Sequence, residues 1–125
     1  MTGRRPQEPA GQRDAVKARC EGLPGAELTF PFGEETAVYK VGGKMFALVS
    51  LDGEPGSVTL KCDPDEAISL REAHRAISPG YYMNKRHWVT IALGGDVPLE
   101  LELDLVTDSY ALVVASLPAR ARPAT

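Results

Sequence analysis

Nine residues, Gly80-Tyr81-Tyr82-Met83-Asn84-Lys85-Arg86-His87-Trp88, concentrate groups that could bind a ligand. They hold two of the four tyrosines, the single tryptophan, one of two histidines, two adjacent cations and an amide. Lys85 and Arg86 can meet phosphate or carboxylate, Arg86 through a planar fork of donors. Tyr81, Tyr82 and Trp88 can stack on bases or other flat rings. Asn84 can donate and accept toward a base edge or a ligand amide. Each residue also has a structural reading. The tyrosines could close the core beneath a loop, Trp88 could be a covered strand residue, and Asn84 could cap a turn.

Other chemistries find little support. A nucleophile needs a base beside it and a third group to hold that base. Cys20 and Cys62 instead fall on apolar faces and lack CxxC spacing, which reads as packing and as reduced thiols. His74 and His87 lie thirteen residues apart with no HxH or HExxH, so no metal site is expected. No motif calls for a cofactor. Gly42-Gly43-Lys44 lacks the spacing and following helix of a phosphate loop and reads as a hairpin turn. The chain is therefore expected to be non-enzymatic.

The elements that must position the run can be traced along the chain. Residues 1–11 read as a basic disordered arm, 12–118 as a single domain, and 119–125 as a disordered tail. A short helix is expected over 12–21, with Val16, Cys20 and Leu23 as its apolar stripe and Arg13, Asp14 and Lys17 in water. Strands follow at 27–32, 36–41, 44–51 and 57–62, where Val58, Leu60 and Cys62 alternate with Ser57, Thr59 and Lys61. Asp63-Pro64-Asp65-Glu66 should start a helix, with Asp63 as cap and Pro64 at the first position, running to about Arg75. Ser78-Pro79-Gly80 then breaks the chain. A strand over 87–93 would turn Val89, Ile91 and Leu93 one way and Trp88 and Thr90 the other. A last helix over 98–117 carries Leu99, Leu103, Val106, Tyr110, Val113, Val114 and Leu117 at helical spacing. Its front half, with Asp96, Glu100, Glu102, Asp104 and Asp108, is expected to form an acidic surface without a compensating base. The fold class is α+β: two layers, a curved antiparallel sheet of about five strands with helices on one side.

Charge limits the partners. Fourteen Lys and Arg face seventeen Asp and Glu, a net charge of -3. Residues 1–19 and 119–125 hold seven of the bases and two of the acids, so the body between them carries seven bases against fifteen acids, a net of -8. A broad basic face, the usual footprint of a nucleic-acid binder, is absent, and anion binding must be local. The polar N-terminus lacks an apolar signal core, and a cytoplasmic protein is expected.

Several blocks together resemble the MmcQ/YjbR-like family of small bacterial proteins. They are Leu23-Pro24-Gly25, Phe30-Pro31-Phe32-Gly33, Val38-Tyr39-Lys40-Val41-Gly42-Gly43-Lys44-Met45-Phe46-Ala47, Leu60-Lys61-Cys62-Asp63-Pro64, the run from Pro79 to Trp88, and Asp108-Ser109-Tyr110. The resemblance covers about residues 12 to 118. It implies a compact α+β domain and a DNA-binding role based on a wing-like arrangement. Carried onto this sequence, that role falls on Asn84, Lys85, Arg86, His87 and Trp88, with Lys44 and Lys61. The family is expected to carry histidine where this chain has Tyr82. The leading expectation is a binding module centred on Tyr81–Trp88, with DNA as partner. One alternative is a small-molecule binder or resistance protein taking a planar anion on the sheet face around Trp88, Thr59 and Lys61. Another is a protein–protein module using the acidic last helix.

Overall fold

The computed structural model describes residues 9–53, 56–80 and 84–123, with side chains from Gly11 onward. The strands are β1 (Glu27–Thr29), β2 (Thr36–Val41), β3 (Lys44–Ser50), β4 (Ser57–Lys61), β5 (Ile77–Pro79) and β6 (Trp88–Ala92), with apolar alternation and glycine turns shaping the longer ones. The helices are α1 (Pro9–Gly22), α2 (Pro64–Ala73) and α3 (Leu99–Ala115), and a 3-10 turn follows at Ala119–Ala121. The strands form one antiparallel sheet in the order β1-β2-β3-β4-β6-β5.

The expected fold class holds, with one strand more than anticipated. Ile77–Pro79 is an edge strand paired with β6, not a simple break. Proline cannot donate to a ladder, but at a sheet edge it need not. Several boundaries also move. α1 begins at Pro9 and not near Gln12, and β1 stops at Thr29, before Pro31. At the end of α2, His74 has extended backbone and turns the chain toward β5.

The helices share one core on one face of the sheet. Val16 and Cys20 from α1, Ala67 from α2, and Leu105, Val106 and Val113 from α3 pack against Tyr39, Phe46, Leu60, Val89 and Ile91. Cross-strand register explains the selection: Ala47 faces Leu60, Leu60 faces Val89, and Val58 faces Ile91. Burial of a Leu, Ile or Phe side chain contributes about 1.5–3 kcal/mol, so this shared face dominates the fold. The thiols of Cys20 and Cys62 are free and buried. Burial pushes both up to about 12, so they remain protonated and unreactive at neutral pH.

A bulge shifts the β2–β3 register between Tyr39 and Lys40. Tyr39 pairs with Ala47 and Lys40 with Met45, leaving Phe46 as the extra residue. Its ring turns into the core and meets Tyr110 edge-on at 5.3 Å. The adjacent β2–β3 turn uses Gly42 and Gly43 at φ 59° and 83°, as the two-glycine signal requires. A β-carbon on Gly42 would stand 2.6 Å from Cδ1 of Leu117. Gly42→Ala is therefore expected to cost about 1–3 kcal/mol, from left-handed backbone and overpacking together. Urea denaturation measures this, and a change below about 0.5 kcal/mol, the range of neutral surface substitutions, would contradict it.

The expected acidic surface of α3 needs correction at Glu102, which is completely buried. Arg19 of α1 reaches this helix, but its Nη1 donates to the Leu103 carbonyl and to Thr107 Oγ1, not to a carboxylate. Glu100, Asp104 and Asp108 remain exposed.

Candidate functional site

Asp63 begins α2 as its sequence requires, its Oδ1 accepting from the Asp65 and Glu66 amides. Glu66 does not complete a capping box; its Oε1 lies 3.8 Å from Cys62 Sγ. This start fixes one helical stripe, Pro64, Ile68 and Arg71, whose spacing of four and three residues puts them on one face. The stripe meets Pro79 of β5 and the turn carrying Lys85 and Arg86, and these residues with Asp65 line a cleft of about 250 Å³.

The turn opposite the stripe is held by its own backbone. Asn84 Oδ1 accepts from the Arg86 amide at 2.9 Å, and the Asn84 carbonyl accepts from the His87 amide. Asn84 thus has the turn-capping role, which presents Lys85 and Arg86 outward. The His87 carbonyl accepts from the Cys62 amide at 2.7 Å, tying the turn to the entry of α2.

The cleft has an apolar floor and a cationic rim. Ile68 is 48% exposed and lies with Pro64 and Pro79, while Arg71, Lys85 and Arg86 supply three cations against the single carboxylate of Asp65. Among the described residues none of these three cations makes an ion pair, and Arg71 Nη1 is shielded from solvent without a hydrogen-bond partner. Three cations without ion pairs beside one carboxylate leave the described lining net positive, which suits the cleft to an anion.

The residues expected to act together separate into groups. Lys85 and Arg86 share the cleft; Arg71 joins them although sequence reasoning passed over it. The Pro64-Ile68-Arg71 stripe was the available signal. Trp88 and Lys61 face one another across β6 and β4, half-buried on the sheet face away from the helices. On that face Thr59 and Thr90 join their hydroxyls at 2.9 Å. Lys44 is exposed at the start of β3, outside the cleft, with β4 between its strand and β6. His87 is half-buried in the turn. Tyr81 and Tyr82 lie outside the described residues.

A roomier cavity, about 510 Å³, is lined by Gln12 and residues 94–100. Asp96 and Glu100 make it acidic, and no cation occurs among its described lining residues. Asp96 is already engaged, since its carboxylate accepts from the Arg75 and Ala76 amides, which hold its carboxyl below the usual range. The smaller cleft carries the unpaired cations and is the stronger candidate.

The sequence model of the YjbR family matches residues 21–112. The chain belongs to the YjbR family. Protein YbdF of Escherichia coli O157:H7 is similar at 43% identity, over 78% of this chain and 80% of its own length. Protein YjbR of Escherichia coli K12 is 34% identical over 82% of this chain and 87% of its own. Among solved structures, the crystal structure of Deinococcus radiodurans DR2400 superposes with a TM-score of 0.83 at 40% identity, covering 92% of this chain and 88% of that one. A Pseudomonas syringae protein gives 0.68 at 25% identity, covering 80% of this chain and 97% of its own. The YjbR match spans β1 through most of α3 and so contains the whole cleft. No helix among the described residues is long and apolar enough to cross a membrane.

Proposed function

We propose that this YjbR-family protein is a non-enzymatic binding module that receives a planar, anionic group between α2 and the Asn84–His87 turn. The observation that carries this reading is the meeting of Arg71, Lys85 and Arg86 over an apolar floor. Lys85 and Arg86 neutralise the anion, Arg71 offers it paired donors, and Ile68 with the two prolines packs against a ring. DNA is the partner class to test first, because β5 and β6 form a hairpin beside α2, a wing next to a helix. At about 250 Å³ the cleft admits one small group, and the acidic body favours a local contact over a long duplex track.

Binding to random duplex DNA, single-stranded DNA and small planar anions across a salt series tests the reading. Replacing both Lys85 and Arg86 with alanine is expected to weaken the bound probe at least tenfold and to reduce its salt slope by about 2. An affinity indifferent to salt, or unchanged in the double variant, would count against it.

A further inference from the structure

We infer that the anion taken by this cleft is a phosphomonoester, the terminal phosphate of a nucleotide-like ligand, and not an internal phosphodiester. The inference rests on the reading of the cleft as an anion site and specifies its ligand. Charge balance is the first reason. Three cations and one carboxylate line the cleft, leaving two positive charges to be met. A phosphomonoester carries close to two negative charges at neutral pH, whereas a diester carries one.

The donors supply the second reason. Arg71 Nη1 already lies out of solvent without an acceptor. The residue as a whole is half-buried and lines the cleft, so its guanidinium can turn to meet a phosphate and gain the acceptor that Nη1 lacks. A guanidinium fork can hold two oxygens while Lys85 and Arg86 take the third, an arrangement that a terminal phosphate with three free oxygens can satisfy. A diester offers only two free oxygens.

Surroundings supply the third reason. Asp63, Asp65, Glu66 and Glu72 are exposed at or along α2. A continuous strand would have to run on from the cleft over a body that is net acidic, and like charges there oppose it. A chain end or a free nucleotide brings one phosphate and stops. The exposed Ile68 and the two prolines then receive the sugar or base.

The test compares ligands that differ in phosphate esterification. Calorimetry with the four ribonucleoside 5′-monophosphates, their 3′,5′-cyclic counterparts and the unphosphorylated nucleosides should give at least tenfold tighter binding for a monophosphate than for its cyclic diester. Arg71→Gln should remove at least tenfold of that affinity, and Lys85→Ala, on an exposed turn, should weaken it without risk to the fold. Short oligonucleotides with 5′-phosphate or 5′-hydroxyl ends identify the source. Stronger binding of the phosphorylated strand indicates a strand end, and binding of mononucleotides alone indicates a free nucleotide; both support the inference. Equal binding of monoester and cyclic diester, both weakened by the variants, overturns the inference and leaves the anion site standing. Failure of every phosphorylated probe overturns both.

Discussion

Replacing Glu102 with glutamine is expected to stabilise the protein by about 3 kcal/mol at pH 8 and to change it little at pH 4. Glu102 has no exposed surface, one oxygen receives a 3.3 Å hydrogen bond from Gln12 Nε2, and the other has no partner. Burial without a cation pushes the carboxyl up from 4.5 to about 7, with the Gln12 bond opposing the rise only partly. Between these values the folded state holds more protons than the unfolded state, so stability falls as pH rises. The contribution is fully present below about 4.5, declines by at most about 1.4 kcal/mol per pH unit, and is lost above about 7. Glutamine is neutral throughout and keeps an oxygen for Gln12, so it avoids the ionisation cost. Its amide puts two N–H donors where the protonated acid has one O–H, a small additional penalty that is the same at every pH. Urea titrations at pH 4, 5.5 and 8 measure the difference, in which the shared acid sensitivity of other carboxylates cancels. A constant difference across pH, or a less stable variant at pH 8, would sink the argument.

Glu102 also shows where the sequence stops being readable. Buried positions on α3 include Glu102, Leu105, Val106, Ser109, Tyr110 and Val113, a helical stripe in which two polar residues occupy core sites. Charge alone sends Glu102 to the surface, and only the packing of α1 across it reveals otherwise. The two-glycine turn, the Asp63-Pro64 helix start and the alternation through β4 and β6 were legible because each depends on local backbone chemistry. β5 was not, because Ser78-Pro79-Gly80 carries a breaker's composition and becomes a strand only through pairing with β6. The site was half legible for the same reason. Lys85 and Arg86 stand out as neighbours in the chain, whereas Arg71 meets them only through the packing of α2 beside β5 and the turn.

Ser109→Ala is expected to cost about 2–4 kcal/mol, a large effect for removing one oxygen atom. The extra residue at Phe46 interrupts the ladder between β3 and β4, whose pairing ends at Ala47 and Leu60. Beyond that point the Phe46 carbonyl and the Lys61 amide need other partners. The Ser109 hydroxyl serves both, donating to Phe46 O at 2.6 Å and accepting from the Lys61 amide at 2.8 Å. Ser109 is wholly buried, so water cannot replace it, and alanine would leave two backbone groups unpaired. The next amide, Cys62, donates to His87 and so holds the turn bearing Lys85 and Arg86. Two consecutive hydrogen bonds therefore connect α3, the entry to α2 and the basic rim of the cleft. Denaturant unfolding should record the lost stability, and hydrogen exchange should speed at Lys61 and Cys62 more than in β2. A purely volumetric role for Ser109 predicts a small loss and no such local pattern. Finding that result would dismiss the hydroxyl as the bulge's closing group and with it the mechanical link from α3 to the cleft.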